Sequence, residues 1–127
     1  MNQDIYIKLL EELLANISEG IHFVDQKNIT QIYNHNMEKI EGMDAKIILG
    51  KNFRDIFKDI PEEESTLLKA LKGISIKDNI QRYQNKNGKE IIALNTTLPI
   101  KVNGKILGAL EISKDITKIK KLSDELI

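Results

Sequence analysis

Cysteine and tryptophan are absent from this 127-residue chain, and proline occurs only twice. Without a thiol there is no disulfide, no thiol nucleophile and no thiolate metal site. The two histidines, His22 and His35, have no third close by in sequence, which argues against a structural zinc site. Aromatic residues make up 5% of the chain, little material for stacking a flat cofactor ring. Charge of one sign is lacking too: 19 basic and 19 acidic side chains give a net charge of zero. A nucleic-acid surface would need a basic stripe, so none is expected of this domain. Apolar runs are only a few residues long, so no membrane span, membrane contact or signal peptide is expected, and a cytoplasmic location is the default expectation. Also missing are a glycine-rich phosphate loop, a nucleophile elbow and a paired metal motif. His22 with Ser113 or Asp25 comes nearest to a hydrolytic set, but strand alternation puts Asp25 on the face opposite His22. An enzyme is not expected.

The length fits one domain, able to bury roughly two-thirds of its unfolded surface. Ile5, Leu9, Leu10, Leu13, Leu14 and Ile17 recur at three and four, predicting an amphipathic helix over residues 3–17. Two short β-rich runs, 21–25 and 29–33, joined by Gln26-Lys27-Asn28, predict a hairpin. Asn34 caps a short helix that ends near Gly42. Residues 44–60 read as brief turns around Gly50. Pro61 and three following glutamates predict a helix that stops at Gly73. Asn87-Gly88 and Asn103-Gly104 then punctuate three long antiparallel strands, about 75–85, 89–101 and 104–114. The fold class is α+β, with helices on one face of an antiparallel sheet.

Several pieces stand in a recognisable order: Gly20 to Asp25 with Tyr33-Asn34, Ile48-Leu49-Gly50-Lys51-Asn52, Asn87-Gly88-Lys89, Leu98-Pro99-Ile100, Gly104, Gly108 and Asp115-Ile116-Thr117. In this order the chain resembles the PAS family over nearly its whole length. The stretches 19–25 and 108–117 further resemble the N-terminal sensor of bacterial enhancer-binding activators of the arginine-utilisation type. The resemblance implies a five-stranded antiparallel sheet whose concave face and short helices enclose a ligand pocket. It implies an N-terminal helix (1–18) over the outer face, a sensor core (19–115) and the start of an output or coiled-coil helix (116–127). It also speaks to cofactors. The thiol of a flavin photoadduct would stand where Phe53 is, and the segment 61–73 lacks the axial histidine of haem-binding relatives. No cofactor is expected, with flavin adduct formation excluded and haem disfavoured.

Because neighbouring strand residues point to opposite faces, matching Pro99 and Gly88 to the family pattern sets Ile91, Ala93, Asn95 and Thr97 inward and Ile92, Leu94, Thr96 and Leu98 outward. The same alternation places His22, Val24, Gln81, Tyr83, Ala109, Glu111 and Ser113 inward. The expected ligand-binding set is therefore His22, Val24, Tyr83, Asn95, Thr97, Glu111 and Ser113. A carboxylate inside needs a cation, a proton or water, and a guanidinium or ammonium ligand would supply the first. The alternative is a Glu111 that reaches the rim and pairs with a surface lysine, while His22 serves as a satisfied core residue. Outward Leu110 and Ile112 extend an apolar patch for the N-terminal helix, where burying Leu10, Leu13 or Leu14 would contribute roughly 1.5 to 3 kcal/mol each. That stripe serves either core packing or a homodimer contact.

Asp115-Ile116-Thr117 closes the last strand and opens an apolar-periodic helix. Asp115 and Thr117 can cap it, which makes the pair the expected signal relay. Ile119, Leu122 and Leu126 begin a coiled-coil seam that runs out at the chain end, as in a segment cut from a longer protein with downstream output domains. The expectation is a sensor for a small metabolite, with arginine or ornithine suggested by the resemblance. The competing one is a dimerisation module without a ligand.

Overall fold

The computed structural model describes residues 2–125. Asn2 accepts from the Ile5 amide at 3.1 Å and starts helix α1 (Gln3–Asn16). Strands β1 (Gly20–Asp25) and β2 (Thr30–Tyr33) follow, then α2 (His35–Glu41), α3 (Ala45–Ile48), α4 (Phe53–Ile56) and α5 (Thr66–Leu71). The long strands β3 (Ile76–Gln84), β4 (Glu90–Val102) and β5 (Lys105–Asp115) lead into α6 (Thr117–Glu125). All five strands form one antiparallel sheet in the order β2-β1-β5-β4-β3. The expected fold class and every strand are found, within a residue or two.

Short polar side chains set the helix starts. Asn34, Asp44, Asn52 and Ser65 each accept from an amide of the turn they open. Thus residues 44–60, expected as turns, hold two one-turn helices. The helix expected from Pro61 is divided: a 3-10 turn (Glu62–Glu64) comes first, and the Ser65 hydroxyl provides a fresh cap for α5. Asn34 does more than cap. Its carbonyl also accepts from Ile21 N at 2.8 Å, and its amide donates to the carbonyls of Glu19 and Leu14, joining α1, β1 and α2.

At the Asn103-Gly104 turn both residues have positive φ, the geometry a two-residue hairpin requires. Pro99 can sit in an interior strand because β3 pairs with β4 only as far as Thr97, so no third strand asks for its missing amide. Gly108 is fixed by close approach, since a Cβ there would collide with the Val24 carbonyl oxygen and the Phe23 ring.

The helix expected to lie across the outer sheet face does not do so. No residue of α1 is buried; Leu10 and Leu13 are 48% and 54% exposed. Hydrogen bonds from Asn34 and Asn36 hold its exit at the start of α2, leaving the stripe uncovered. Leu94, Leu98, Leu110 and Ile112 on the outer face are only half-buried as a result.

Cross-strand register explains where the interior is polar. One row across the sheet reads His22–Glu111–Thr97 and the next Gly20–Ser113–Asn95. On one side of these rows Val24 and Ala109 join a cluster with Met37, Ile48, Phe53 and Leu67; on the other, Ile91 and Ala93 pack with Ile40 and Tyr83. The polar rows therefore lie between two apolar clusters.

Candidate functional site

Over those rows, between the sheet and the segment 53–67, lies a cavity of about 730 Å³, within the range of small-molecule sites. His22, Glu41, Phe53, Leu67, Gln81, Tyr83, Asn95 and Glu111 line its interior, and exposed Asp59, Ile60, Glu64, Arg82, Gln84 and Lys86 surround its mouth.

Of the residues expected to bind ligand, the structure brings four to this wall: His22, Tyr83, Asn95 and Glu111. The other three face inward as alternation requires but lie outside the lining. Val24 is fully buried in the apolar cluster. Thr97 Oγ1 donates to Thr66 Oγ1 at 3.1 Å, and Ser113 is enclosed between β1 and β4. Alternation assigns a face; it does not say whether helix or cavity covers that face.

His22 is a satisfied core histidine that also borders the cavity. Its Nε2 lies 2.8 Å from Thr30 Oγ1, and its ring meets Tyr33 and Phe53 edge-on. Burial pushes its pKa down to about 4, so the imidazole is neutral at neutral pH.

Glu111 faces the cavity from β5, opposite His22 on one side and Thr97 on the other. Among the described residues no side-chain cation or donor reaches its carboxylate, so the alternative of a rim pair with a lysine is not what is found. Loss of solvation, and then the carboxylate of Glu41, hold the Glu111 pKa well above the ordinary range. Glu41, which strand alternation could not reveal because it ends α2, is raised for the same first reason. It accepts from the Tyr33 hydroxyl at 2.5 Å. Burial and then the Glu41 charge raise the Tyr33 phenol in turn, and Tyr83 is raised likewise, so both stay protonated. A sequence signal for Glu41 existed only in hindsight: it precedes Gly42, whose left-handed φ of 69° ends the helix against the β3–β4 hairpin. There Lys86 N donates to Glu41 O and Asn85 Nδ2 to Ile40 O, which fixes the end of α2 beside the cavity.

Asn95 is 4% exposed. Its amide donates to Gln81 Oε1, while its Oδ1 is buried with no hydrogen-bond partner among the described residues. A buried acceptor left without a partner in this way costs on the order of 1 to 3 kcal/mol.

The expected relay residues meet at the end of β5. Asp115 Oδ1 accepts from both the amide and the hydroxyl of Thr117, at 2.9 and 2.6 Å. Thr117 Oγ1 then accepts from Ile92 N at 2.8 Å, and Ile116 N donates to Ile92 O. The threonine hydroxyl thus ties α6 to β4, a neighbouring strand, rather than to its own first turn. Ile119 and Leu122 of the expected seam are exposed, and Leu126 lies outside the described residues.

A sheet of this order with short helices enclosing a polar cavity defines a PAS domain, and the chain belongs to that family: the PAS domain profile matches residues 18–118. It is 42% identical over 118 residues to the transcriptional activator RocR of Bacillus subtilis (strain 168), covering 92% of this chain but 26% of that protein. The chain thus spans about a quarter of the activator's length. Among solved structures, a light-oxygen-voltage receptor that binds RNA superposes with a TM-score of 0.75 at 18% identity, over 99% of this chain and 37% of that one. The VqmA dimer of Vibrio cholerae gives 0.70 at 16%, over 88% and 52%. The PAS domain of an HTR-like protein from Haloarcula marismortui gives 0.60 at 20%, over 89% and 99%. At these identities the likeness concerns the fold alone. No described helix is long and apolar enough to cross a membrane.

Proposed function

We propose that this domain is the sensing module of a bacterial transcription-regulatory protein and that its cavity takes a small cationic metabolite, a basic amino acid such as arginine or ornithine. The observation that carries this reading is the wall itself: Glu111 and Glu41 line one cavity, and among the described residues no cation pairs with the Glu111 carboxylate. A guest ammonium or guanidinium would give the carboxylate its counter-charge. His22 and Tyr83 border the same space. The sequence similarity to RocR supports placing the domain in an activator, and output domains downstream of α6 belong to that proposal.

The register supports a relay through β5. Glu111 is four residues before Asp115 on β5, so a guest held by Glu111 loads the strand whose end is bonded to α6 through Thr117. Unequal affinity for two positions of β5 would shift the population of α6 orientations.

Calorimetric titration of L-arginine and L-ornithine into the wild type and Glu111→Ala tests the reading, with L-citrulline as the uncharged analogue. Binding of a basic amino acid that is at least tenfold weaker in Glu111→Ala is expected, from the loss of about 1.5 to 3 kcal/mol in charged hydrogen bonds. Equal or absent heats in both proteins defeat it.

A second reading, a homodimer-forming module, is favoured by the exposed apolar stripe of α1 and the half-buried outer sheet face. The fold neighbour VqmA is described as a dimer. The two readings are compatible, and native mass spectrometry reports the second directly.

A further inference from the structure

Two carboxylates, from different elements, share the cavity wall: Glu41 at the end of α2 and Glu111 in the middle of β5. We propose that Glu41 and Glu111 form a single cation locus for a planar, multiply donating group, a guanidinium or amidinium, which enters in exchange for a proton held by the pair. The inference rests on the cationic-ligand reading above and adds Glu41 as a binding residue, a preference among cations and a proton stoichiometry.

The first support is the distribution of acceptors. Glu111 offers two oxygens without a partner among the described residues, and Glu41 retains Oε2 while Oε1 accepts from Tyr33. An ammonium presents its three donors from one point, whereas a guanidinium spreads five in a plane. Acceptors carried by both α2 and β5 suit the planar fork.

The second support is charge. Two carboxylates on a poorly solvated wall do not both ionise without a counter-charge, and one proton remains with the pair. The raised titration of each, from burial and from Glu41 acting on Glu111, agrees with this. The empty locus then carries one negative charge. With a monocation bound and both carboxylates ionised it again carries one, so one proton leaves for each cation that enters.

The groups facing the pair do not upset that balance. Tyr33 on β2 and Tyr83 on β3 stay protonated, and His22 on β1 stays neutral. Lys86 acts on Glu41 through space, but its ammonium lies over the Phe57 ring and donates to Ile56 O. Asp115 acts on Tyr83 from the end of β5. At the mouth, Asp59, Glu64 and Arg82 are exposed and screened by solvent.

Two measurements test the locus. Carbon-detected NMR titration of the glutamate side-chain carboxyls in the unliganded domain requires no ligand. Glu41 and Glu111 are expected to titrate as a coupled pair above the ordinary range, and Glu41→Gln is expected to move the Glu111 midpoint down by about one pH unit. Independent titrations, or an unmoved Glu111 in Glu41→Gln, overturn the proposal. Calorimetry of L-arginine at pH 7 in buffers of different ionisation heat is expected to show about one proton released per arginine bound. Glu41→Gln should bind arginine about tenfold to a hundredfold more weakly and release clearly less than the wild type, because burial alone still raises Glu111; wild-type affinity and proton release in that variant overturn the proposal. If neither arginine nor ornithine binds, the functional reading fails, and the NMR titration still decides whether the carboxylates act as one site.

Discussion

His22 and the Glu41–Glu111 pair pull the stability of the domain in opposite directions as pH changes. The folded pKa of His22 is depressed, from 6.5 to about 4. Its contribution is therefore present above pH 6.5 and lost as pH falls toward 4, by roughly 3 kcal/mol over the whole interval. The carboxyl pair is raised above its unfolded value of 4.5, so its contribution is present below pH 4.5 and lost as pH rises through neutrality. Urea unfolding between pH 4 and 8 should show both limbs. His22→Gln is expected to abolish the acid-side loss and Glu111→Gln to reduce the neutral-side loss; an acid limb unchanged in His22→Gln would falsify the assignment. Such residues were only partly legible in the sequence. Alternation placed His22, Tyr83, Asn95 and Glu111 on the correct face because the pleat has period two. It could not separate them from Val24, Thr97 and Ser113, whose covering depends on where α5 and the apolar cluster sit. Glu41 was hidden altogether, since a residue at a helix end points according to how that helix docks.

Elements were legible wherever a local rule decides them, and less so where one short side chain competes with its neighbours. The Asn-Gly turns announced the hairpins. Ser65, by contrast, looks unremarkable in a run of glutamates, yet its hydroxyl cap separates α5 from the 3-10 turn before it. Asp115 and Thr117 were legible as a junction, but their partner was not, because Ile92 lies 25 residues away on another strand. That link makes a prediction about the element it anchors. Thr117→Val keeps the shape and removes the acceptor for Ile92 N, an amide in a residue that is 1% exposed. The expected cost is about 1 to 3 kcal/mol in urea unfolding, with loss of hydrogen-exchange protection at the Ile92 amide, while Thr117→Ser should retain most of both. Unchanged protection in Thr117→Val would mean that α6 is held by something other than this hydroxyl.

At the scale of the whole molecule, two apolar surfaces want covering and have compatible dimensions. Helix α1, 14 residues long, extends about 21 Å, and a sheet of five strands is about 19 to 20 Å across. An isolated helix of this length is marginal in water, so its stripe of Ile5, Leu9, Leu10 and Leu13, each about half exposed, needs a partner surface to stay helical. A second copy would provide one on each side of a two-fold axis: the helix of one protomer against the Leu94, Leu98, Leu110 and Ile112 face or the helix of the other. The expected outcome is a homodimer at micromolar concentration in light scattering. Replacing Leu9 and Leu13 together by glutamate should yield a monomer with reduced far-ultraviolet helicity. Because neither side chain is buried within its own protomer, the β-sheet core should keep its unfolding midpoint once the contribution of dimerisation is subtracted. A wild-type protein that stays monomeric at high micromolar concentration, or a double variant that still dimerises, removes α1 from the interface.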